Sequence, residues 1–306
     1  MTLQLRGFID LPRHLTGGFD HGDVDRASGR VFVAHTANGT VDVIDGISLS
    51  YVKTLPSCPE ASGILCAQNE RLTFAAARGG GKILVINSAA LEISREIPVG
   101  PKPNGLAWDP GRGRLLAADV EDFHAHVVDA ATGQLVASVA LLGRPRWCLY
   151  DSGRDRYLIN IREPAVVEAL SADTLERVAT FDIPIPGPHG LDLDPERNRA
   201  FVACDGGAVV VLELGSGETR ESVPIAGEPD AIWFNAARQR LYVAIGKPGL
   251  IQVVDTIALK VVEQVETEEG AHTTAFDPIR QQLYVFLPES CRAAVYQESV
   301  ASDGGG

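Results

Sequence analysis

The amino-acid sequence predicts an all-β protein, a single seven-bladed β-propeller with four-stranded antiparallel blades. Seven similar units follow one another at intervals of 41 to 43 residues, and each unit contains signals for four short strands. The last unit lacks its fourth strand, while the chain begins with an unassigned strand signal. A chain of 306 residues with 45% hydrophobic content is long enough to bury the core of such a ring.

Each unit is anchored at a polar turn between its first two strands. An inner strand leads into a DPxxxR-type turn, followed by a second strand such as AFVAC, a third such as IQVVD and an outer strand such as QLVASVALL. Asp or Asn followed by Pro or a small residue favours turns, so we expect structural roles for the anchors. The anchors are Asp25, Cys66, Asp109, Asp151, Asp194, Asn235 and Asp277.

The two ends of the chain complement each other. The seventh unit ends after its third strand, AAVYQ (293–297), and the chain begins with LQLRGFIDL (3–11). We expect residues 3–11 to form the outer strand of the last blade, because this closure leaves no open sheet edge at the seam. One propeller domain would then span residues 3–297, and residues 298–306, which end in SDGGG, would form a disordered tail.

The unit KPNGLAWDPGRGRLLAADVEDFHAHVVDAATGQLVASVALLG (102–143) resembles the repeat of the YVTN family, which includes YncE-like propellers. The resemblance extends over residues 3–297 and is weakest in the second unit, where Cys66 and Ala67 replace the acidic turn. It implies a fold rather than an activity, since propellers include enzymes, carriers and scaffolds.

Composition limits the partners and the location. The net charge of −13, from 40 acidic and 27 basic residues, argues against nucleic acid or an anionic membrane as a partner. The first residues lack a signal-peptide pattern and no long apolar run occurs, so we expect a soluble, cytoplasmic protein. The five cysteines show no CxxC spacing, which favours reduced thiols.

Candidate site residues converge at one mouth of the central channel, where the inner strands begin. In the first blade the candidate residue is Asp20, or His21 if the first inner strand is one residue shorter. The loops between second and third strands add His35, Arg78 and Glu289 at the same mouth. Counting five positions back from each anchor gives Asp20, Ala61, Asn104, Arg146, His189, Asp230 and His272.

Three interpretations of this mouth remain open. In the first, His189, His272 and either His21 or Asp230 bind one divalent transition metal of unspecified identity, and Asp230 or Glu289 moves protons. Lyase, lactone-hydrolase or oxidase chemistry would fit such a centre. In the second, a metal-free site binds an organic anion through Arg146 and Arg78. In the third, the polar residues are solvated and have no role.

The sequence therefore predicts that the His-rich mouth binds a small polar ligand, with metal-dependent catalysis left open. Asp20, His35, Arg78, Asn104 and Arg146 are the predicted ligand-binding residues. The alternative is a non-catalytic scaffold whose rim loops bind a protein partner. We expect the tryptophans, which occupy or adjoin equivalent inner-strand positions, to pack between blades; they are Trp108, Trp147 and Trp233.

Overall fold

The computed structural model describes residues 2–13 and 18–298. It confirms the predicted fold class: 28 strands form seven four-stranded antiparallel sheets. The innermost strands contact one another in sequence around a ring, and the last of them contacts the first. His14 and residues 299–306, including the predicted tail SDGGG, lie outside the described residues.

The innermost strands line the channel and carry its polar residues. They begin at one end of the channel and finish in the polar turns at the other end. From the first blade to the seventh they are β2 (Gly22–Asp25), β6 (Ala61–Ala67), β10 (Pro103–Asp109), β14 (Pro145–Asp151), β18 (Pro188–Asp194), β22 (Glu228–Asn235) and β26 (Thr274–Asp277).

The second strand of each blade is almost wholly buried, because other strands cover both of its edges and neighbouring blades cover its faces. Continuous apolar runs such as VFVA and AFVA fit this position. In blade order these strands are β3 (Arg30–His35), β7 (Leu72–Ala77), β11 (Arg114–Asp119), β15 (Arg156–Ile161), β19 (Arg199–Cys204), β23 (Arg240–Lys247) and β27 (Gln282–Leu287).

The third strands are also mainly buried, with one position near their middle that accepts polar side chains. That position is Asp42 in the first blade and His126 in the third. In blade order these strands are β4 (Thr40–Asp45), β8 (Lys82–Asn87), β12 (His124–Asp129), β16 (Val166–Ser171), β20 (Ala208–Glu213), β24 (Leu250–Asp255) and β28 (Arg292–Glu298).

The outer strands are the most exposed strands of the blades, as expected at a sheet edge. The seventh blade takes its outer strand from the start of the chain, since β1 (Leu3–Asp10) pairs antiparallel with β28. The remaining outer strands are β5 (Ser50–Leu55), β9 (Glu92–Pro98), β13 (Leu135–Ala140), β17 (Arg177–Asp182), β21 (Thr219–Pro224) and β25 (Lys260–Glu266).

Anchor carboxylates stabilise the turns that follow the innermost strands. Asp109 Oδ1 accepts a hydrogen bond of 2.9 Å from the Gly111 amide, and its Oδ2 accepts one of 2.9 Å from Arg112 Nη1. Asp277 repeats this arrangement with the Ile279 amide and Arg280 Nη1. The described residues contain only three short 3-10 helices, Thr36–Asn38, Arg78–Gly80 and Pro195–Arg197, and no helix with the length and apolar character needed to span a membrane.

Strand register corrects the sequence-based alignment of the second blade. Ala67 pairs with Leu72 just as Asp109 pairs with Arg114, so the turn anchor of this blade is Ala67 and not Cys66. A residue five positions before the anchor is then Ser62. With this shift, all seven positions of the predicted ring carry polar residues.

Register also decides between Asp20 and His21. Gly22 pairs with Val33 in the first blade as Leu191 pairs with Val202 in the fifth. Asp20 therefore occupies the position equivalent to His189. His21 occupies the next position, which belongs to glycine in the second, third and fifth blades.

Candidate functional site

The candidate site lies at the end of the channel where the innermost strands begin, which we call the first mouth. Four consecutive blades, from the fourth to the seventh, each contribute one side chain from equivalent ring positions: Arg146, His189, Asp230 and His272. These residues line a cavity of about 350 Å³ that is open to solvent. The opposite end of the channel, where the polar turns lie, is the second mouth.

Asp230 is the centre of this group. Its Oδ1 lies 3.3 Å from His189 Nε2, and its Oδ2 lies 3.7 Å from His272 Nε2. Each carboxylate oxygen thus faces one imidazole. The predicted residues of three adjacent blades are therefore brought together, although the sequence places them more than forty residues apart.

His189 is held from both sides. Its Nδ1 lies 2.9 Å from Asp205 Oδ1 at the end of β19. Asp205 in turn pairs with Arg162, whose Nε lies 2.9 Å from Asp205 Oδ2. A histidine with one nitrogen bonded to a carboxylate has a fixed ring orientation, so its other nitrogen is presented toward Asp230 in a defined direction.

Electrostatics keep Asp230 ionised. Burial by itself would raise the pKa of this carboxyl, but the charges of His189, His272, His21 and Arg146 together outweigh burial, so the pKa lies below its ordinary value. His21 behaves in the opposite way. Burial lowers the pKa of its imidazole more than the neighbouring Asp20 and Asp230 raise it, which favours the neutral ring at pH 7.

Arg146 has an unsatisfied donor. Its Nε is buried and has no hydrogen-bond partner among residues 2–13 and 18–298. Burial, together with the charges of Arg144 and Arg162, lowers the pKa of its guanidinium, and Asp230 and Asp205 counteract this only in part. A buried guanidinium nitrogen without an acceptor is costly, and the Arg146 side chain lines the open cavity, where an anionic group would find a cationic partner.

The first three blades complete the mouth with a separate group around Arg78. Arg78 Nη1 lies 3.5 Å from Asp20 Oδ2 and 3.3 Å from Asn104 Oδ1. The Asp20 Oδ1 lies 3.3 Å from His21 Nε2. The His21 ring stacks on Trp147 with 4.2 Å between ring centroids. Unlike Arg146, Arg78 is already neutralised by carboxylates of the protein.

Two predicted site residues are not part of this arrangement. His35 is fully buried, with Nδ1 2.7 Å from Asp42 Oδ2 and its ring 4.4 Å from that of Phe19, so it does not reach the channel. Glu289 is exposed in a rim loop, where its amide donates to Glu268 Oε2, and it does not line the cavity at the first mouth. Sequence position placed both residues near the first mouth, but neither side chain lines its cavity.

One group in the described part of the chain has three ligand-type atoms within 4.8 Å of one another: Asp119, Asp122 and His126. It lies in the third blade, away from the predicted ring. Asp119 and His126 occupy the positions that His35 and Asp42 hold in the first blade, with the residue types exchanged. The backbone amides of Glu121 and Asp122 donate to Asp119 Oδ1, which indicates a structural role.

Comparison with known proteins supports the fold alone. The chain is similar to a chain of Kuenenia stuttgartiensis hydrazine synthase, with a TM-score of 0.84, 14% identity, and coverage of 94% of this chain and 98% of that one. It is also similar to a chain of a mitotic checkpoint complex, with a TM-score of 0.81, 11% identity, and coverage of 97% and 92%. The first structure is named for an enzyme and the second for a protein assembly.

No protein-family model matches this chain, and no curated protein matches it in sequence. Membership of the YVTN family therefore stays a prediction, while the seven-bladed fold that it implies is confirmed. At identities this low, the similar structures do not transfer an activity.

Sequence reasoning assigned no role to Asp205 and Arg162, which hold His189 in place. Each residue directly follows a second strand, in the loops predicted to lie at the first mouth. Because charged residues are common in such loops, their position alone does not reveal which of them contact the channel residues. That pairing depends on how one blade packs against the next.

Proposed function

We propose that the protein binds a small organic anion carrying a carboxylate at the first mouth, with Arg146 as the principal ligand-binding residue. The observation that carries this proposal is the buried, unpartnered Nε of Arg146 beside an open cavity of about 350 Å³. A guanidinium can donate two parallel hydrogen bonds to a carboxylate, and such charge-assisted bonds are the strongest class of side-chain hydrogen bond.

The neighbouring residues support a ligand that also has a hydroxyl or carbonyl group. His189 and His272 flank Asp230, and the ring nitrogens of both side chains can hydrogen-bond to polar groups of a ligand. Asp230 stays ionised and repels a second carboxylate from the centre of the cavity. The mouth would thus bind the carboxylate at Arg146 and the less charged part of the ligand near Asp230 and the two histidines.

The same geometry suits proton transfer. Asp205 orients His189 through Nδ1, so that Nε2 faces Asp230 and the cavity. An imidazole in this position can take a proton from a bound hydroxy acid or return one to it. Catalysis at this site is part of the proposal, and Asp230 and His189 are the residues that would perform it.

A screen of small carboxylates tests the binding proposal. Acetate, malonate, succinate and citrate, added separately at constant ionic strength, should raise the unfolding temperature of the wild-type protein if one of them fits. The Arg146→Gln variant should lose that increase. The Arg220→Gln variant is a matched control, because Arg220 is an exposed arginine of an outer strand and its guanidinium pairs with Glu218.

A second candidate function is metal-dependent catalysis by His189, His272 and Asp230. The observation that favours it is the Asp205 to His189 contact, since a metal-binding histidine commonly bonds a carboxylate through its other nitrogen. His21, the third predicted ligand, directs Nε2 toward Asp20 and would have to turn. Elemental analysis of untagged protein tests this candidate: stoichiometric zinc, manganese, iron or copper that a His189→Ala, His272→Ala variant lacks would support it.

The scaffold alternative has less support from the first mouth. A protein-binding rim usually presents aromatic or arginine anchors. Phe123, 39% exposed, is the large aromatic residue that the mouth-side loops expose among the described residues. Recovery of a stable stoichiometric partner by affinity capture, with binding lost in Phe123→Ala, would favour the scaffold over ligand binding.

A further inference from the structure

The channel contains a second cavity, nearer to the second mouth, that the proposed function does not use. Its volume is about 480 Å³. All three tryptophans of the chain line it, together with Tyr150. The tryptophans are only partly buried, so each packs against a blade and presents the rest of its ring to the channel.

Two carboxylates occupy equivalent positions in the wall of this cavity. Asp23 lies two residues before the anchor of the first blade, and Asp192 lies two residues before the anchor of the fifth. Asp23 Oδ2 accepts a hydrogen bond of 2.7 Å from the Cys66 amide of the next blade. Asp192 Oδ2 accepts one of 2.6 Å from the Phe234 amide, again in the next blade. Five other blades carry uncharged residues at this position.

Neither carboxylate has a cationic partner at contact distance within the described residues. Each accepts its hydrogen bonds from backbone amides: one from the next blade and one from the residue that follows it, Val24 or Leu193. Arg26, which is exposed toward the second mouth, acts on both carboxylates only through longer-range attraction. The cavity therefore holds two acidic groups and one arginine that does not bond to either.

The pKa values of Asp23 and Asp192 are consistent with carboxylates that are buried without a cationic partner in contact. Burial is the largest influence on both groups and raises the pKa of Asp23 and of Asp192 to about 6. The charge of Asp23 also raises the pKa of Asp192, so the two carboxylates interact across the channel. At pH 7 to 8 both carry charge that the folded protein does not neutralise by direct contact.

We propose that this second cavity binds a small organic ammonium ion, held between the Asp23 and Asp192 carboxylates and the ring surfaces that Trp108, Trp147 and Trp233 leave open to the cavity. Aromatic faces attract cations through their quadrupole, and tryptophan does so most strongly. A carboxylate adds direct charge attraction and accepts N–H hydrogen bonds. The apolar wall, which includes Ile64, Leu106 and Ile232, suits alkyl groups on nitrogen better than a hydrated metal ion.

Contacts of the Trp147 and Trp233 rings determine the shape of the cavity wall. Trp147 and Trp233 meet edge to face at 88° with 6.3 Å between centroids, and the His21 ring covers one face of Trp147. Trp233 Nε1 donates to the Thr274 carbonyl, which fixes that ring. This arrangement is that of a partial aromatic cage with acidic residues beside it.

Intrinsic fluorescence provides a direct test, because every tryptophan of the protein reports on this cavity. Choline and n-butylammonium are titrated at pH 8 and compared with their neutral analogues 3,3-dimethylbutan-1-ol and n-butanol at equal ionic strength. We expect a saturable change in emission with at least one of the two cations and none with its neutral analogue. An equal response to cation and analogue, or no saturable response to either cation, would overturn the proposal.

Two variants and a pH series complete the test. Asp192→Asn and Asp23→Asn should each weaken cation binding at least tenfold, and Asp173→Asn, at a surface aspartate with 75% exposure, should leave it unchanged. Circular dichroism shows whether each variant is folded. An asparagine side chain has one acceptor oxygen and cannot accept both of the backbone hydrogen bonds that the aspartate carboxylate accepts. If a variant does not fold for this reason, the comparison of each cation with its neutral analogue on the wild-type protein decides the outcome.

Binding should also weaken as the pH falls through about 6, where the two carboxylates become protonated. The other titratable or charged groups around them are Asp25, Arg26, His21, Cys66, Cys148 and Tyr150. Burial raises the pKa of Cys66, of Cys148 and of Tyr150, so these three stay neutral over pH 5 to 8. His21 gains positive charge at low pH, which acts in the same direction. Binding that is equally strong at pH 5 and pH 8 would contradict an ionic role for Asp23 and Asp192.

This inference does not depend on anion binding at the first mouth. Arg146→Gln, which should abolish carboxylate binding, lies outside the second cavity and should leave the fluorescence response to choline or n-butylammonium intact. Failure of either proposal can therefore be recognised separately.

Discussion

His189 and Asp230 meet across the junction between the fifth and sixth blades, with His189 Nε2 3.3 Å from Asp230 Oδ1. Because the other nitrogen of His189 bonds to Asp205, the ring is held between two carboxylates from different blades. The contact joins two innermost strands at the first mouth. The geometry of the candidate site therefore depends on how the fifth and sixth blades pack against each other.

Replacing Asp230 with asparagine should make stability less dependent on pH. The pKa of Asp230 lies below its ordinary value in the folded protein, so ionisation contributes stability above the unfolded pKa of about 3.9, and this contribution is lost as the pH falls through the folded pKa. We expect Asp230→Asn to cost about 1–3 kcal/mol at pH 6. The cost should shrink toward pH 3. Urea unfolding at both pH values measures it.

Asp173→Asn is the matched control for that measurement, since Asp173 is 75% exposed and lies on an outer turn. It should change the free energy of unfolding little at either pH. If Asp230→Asn is as stable as the wild type at pH 6, the interactions of Asp230 with the histidines and Arg146 do not stabilise the fold as described.

His35 should be important for stability and not for ligand binding. It is fully buried, and Asp42, also buried, accepts hydrogen bonds from His35 Nδ1 and from Thr54 Oγ1. His35→Ala would leave a buried carboxylate with one partner fewer, at a cost of about 1–3 kcal/mol. Chemical denaturation checks this value. His124→Ala, at a half-buried histidine at the start of β12, is the control.

Carboxylate binding should persist in folded His35→Ala protein, because His35 does not reach the first mouth. A variant with wild-type stability but no carboxylate binding would restore the sequence-based prediction that His35 contacts the ligand. The two measurements together separate the alternatives.

Removal of residues 1–10 should destabilise the ring and expose an edge strand. Strand β1 covers β28 along its whole length and buries Leu3 and Ile9. Each lost apolar side chain costs about 1.5–3 kcal/mol, and the uncovered edge of β28 can pair with another molecule. Thermal unfolding and light scattering report the two effects.

Arg6→Ala, a change at an exposed position of β1, provides the control and should remain monodisperse with an unchanged unfolding temperature. A truncated protein that is equally stable and equally monodisperse would show that β1 is dispensable for closure of the ring.

The sequence predicted the fold class because the repeat is encoded locally. Turn anchors such as Asp109 and Asp277 lie next to the strands that they join, so their spacing reports the blade period directly. The second blade was misaligned by one residue because Ala67 lacks the carboxylate that marks the other turns. Only the pairing of Ala67 with Leu72 reveals its register.

The candidate site was predictable only where ring position determined it. Arg146, His189, Asp230 and His272 meet because equivalent positions in neighbouring blades lie side by side. His35 and Glu289 differ, since loop residues can turn inward, outward or into a blade junction. The tryptophans were expected to pack between blades, and their exposed faces in the channel could not be inferred from strand position alone.

Carboxylate binding by Arg146 is tested most directly by a calorimetric titration of malonate, succinate and citrate into wild-type, Arg146→Gln and Arg220→Gln protein at one ionic strength. We expect saturable binding of at least one of these anions to the wild type and to Arg220→Gln. Binding to Arg146→Gln should be at least tenfold weaker, a difference of about 1.4 kcal/mol or more. Equal affinity of Arg146→Gln and the wild type, or no saturable binding of any of the three anions to the wild type, would contradict the proposal.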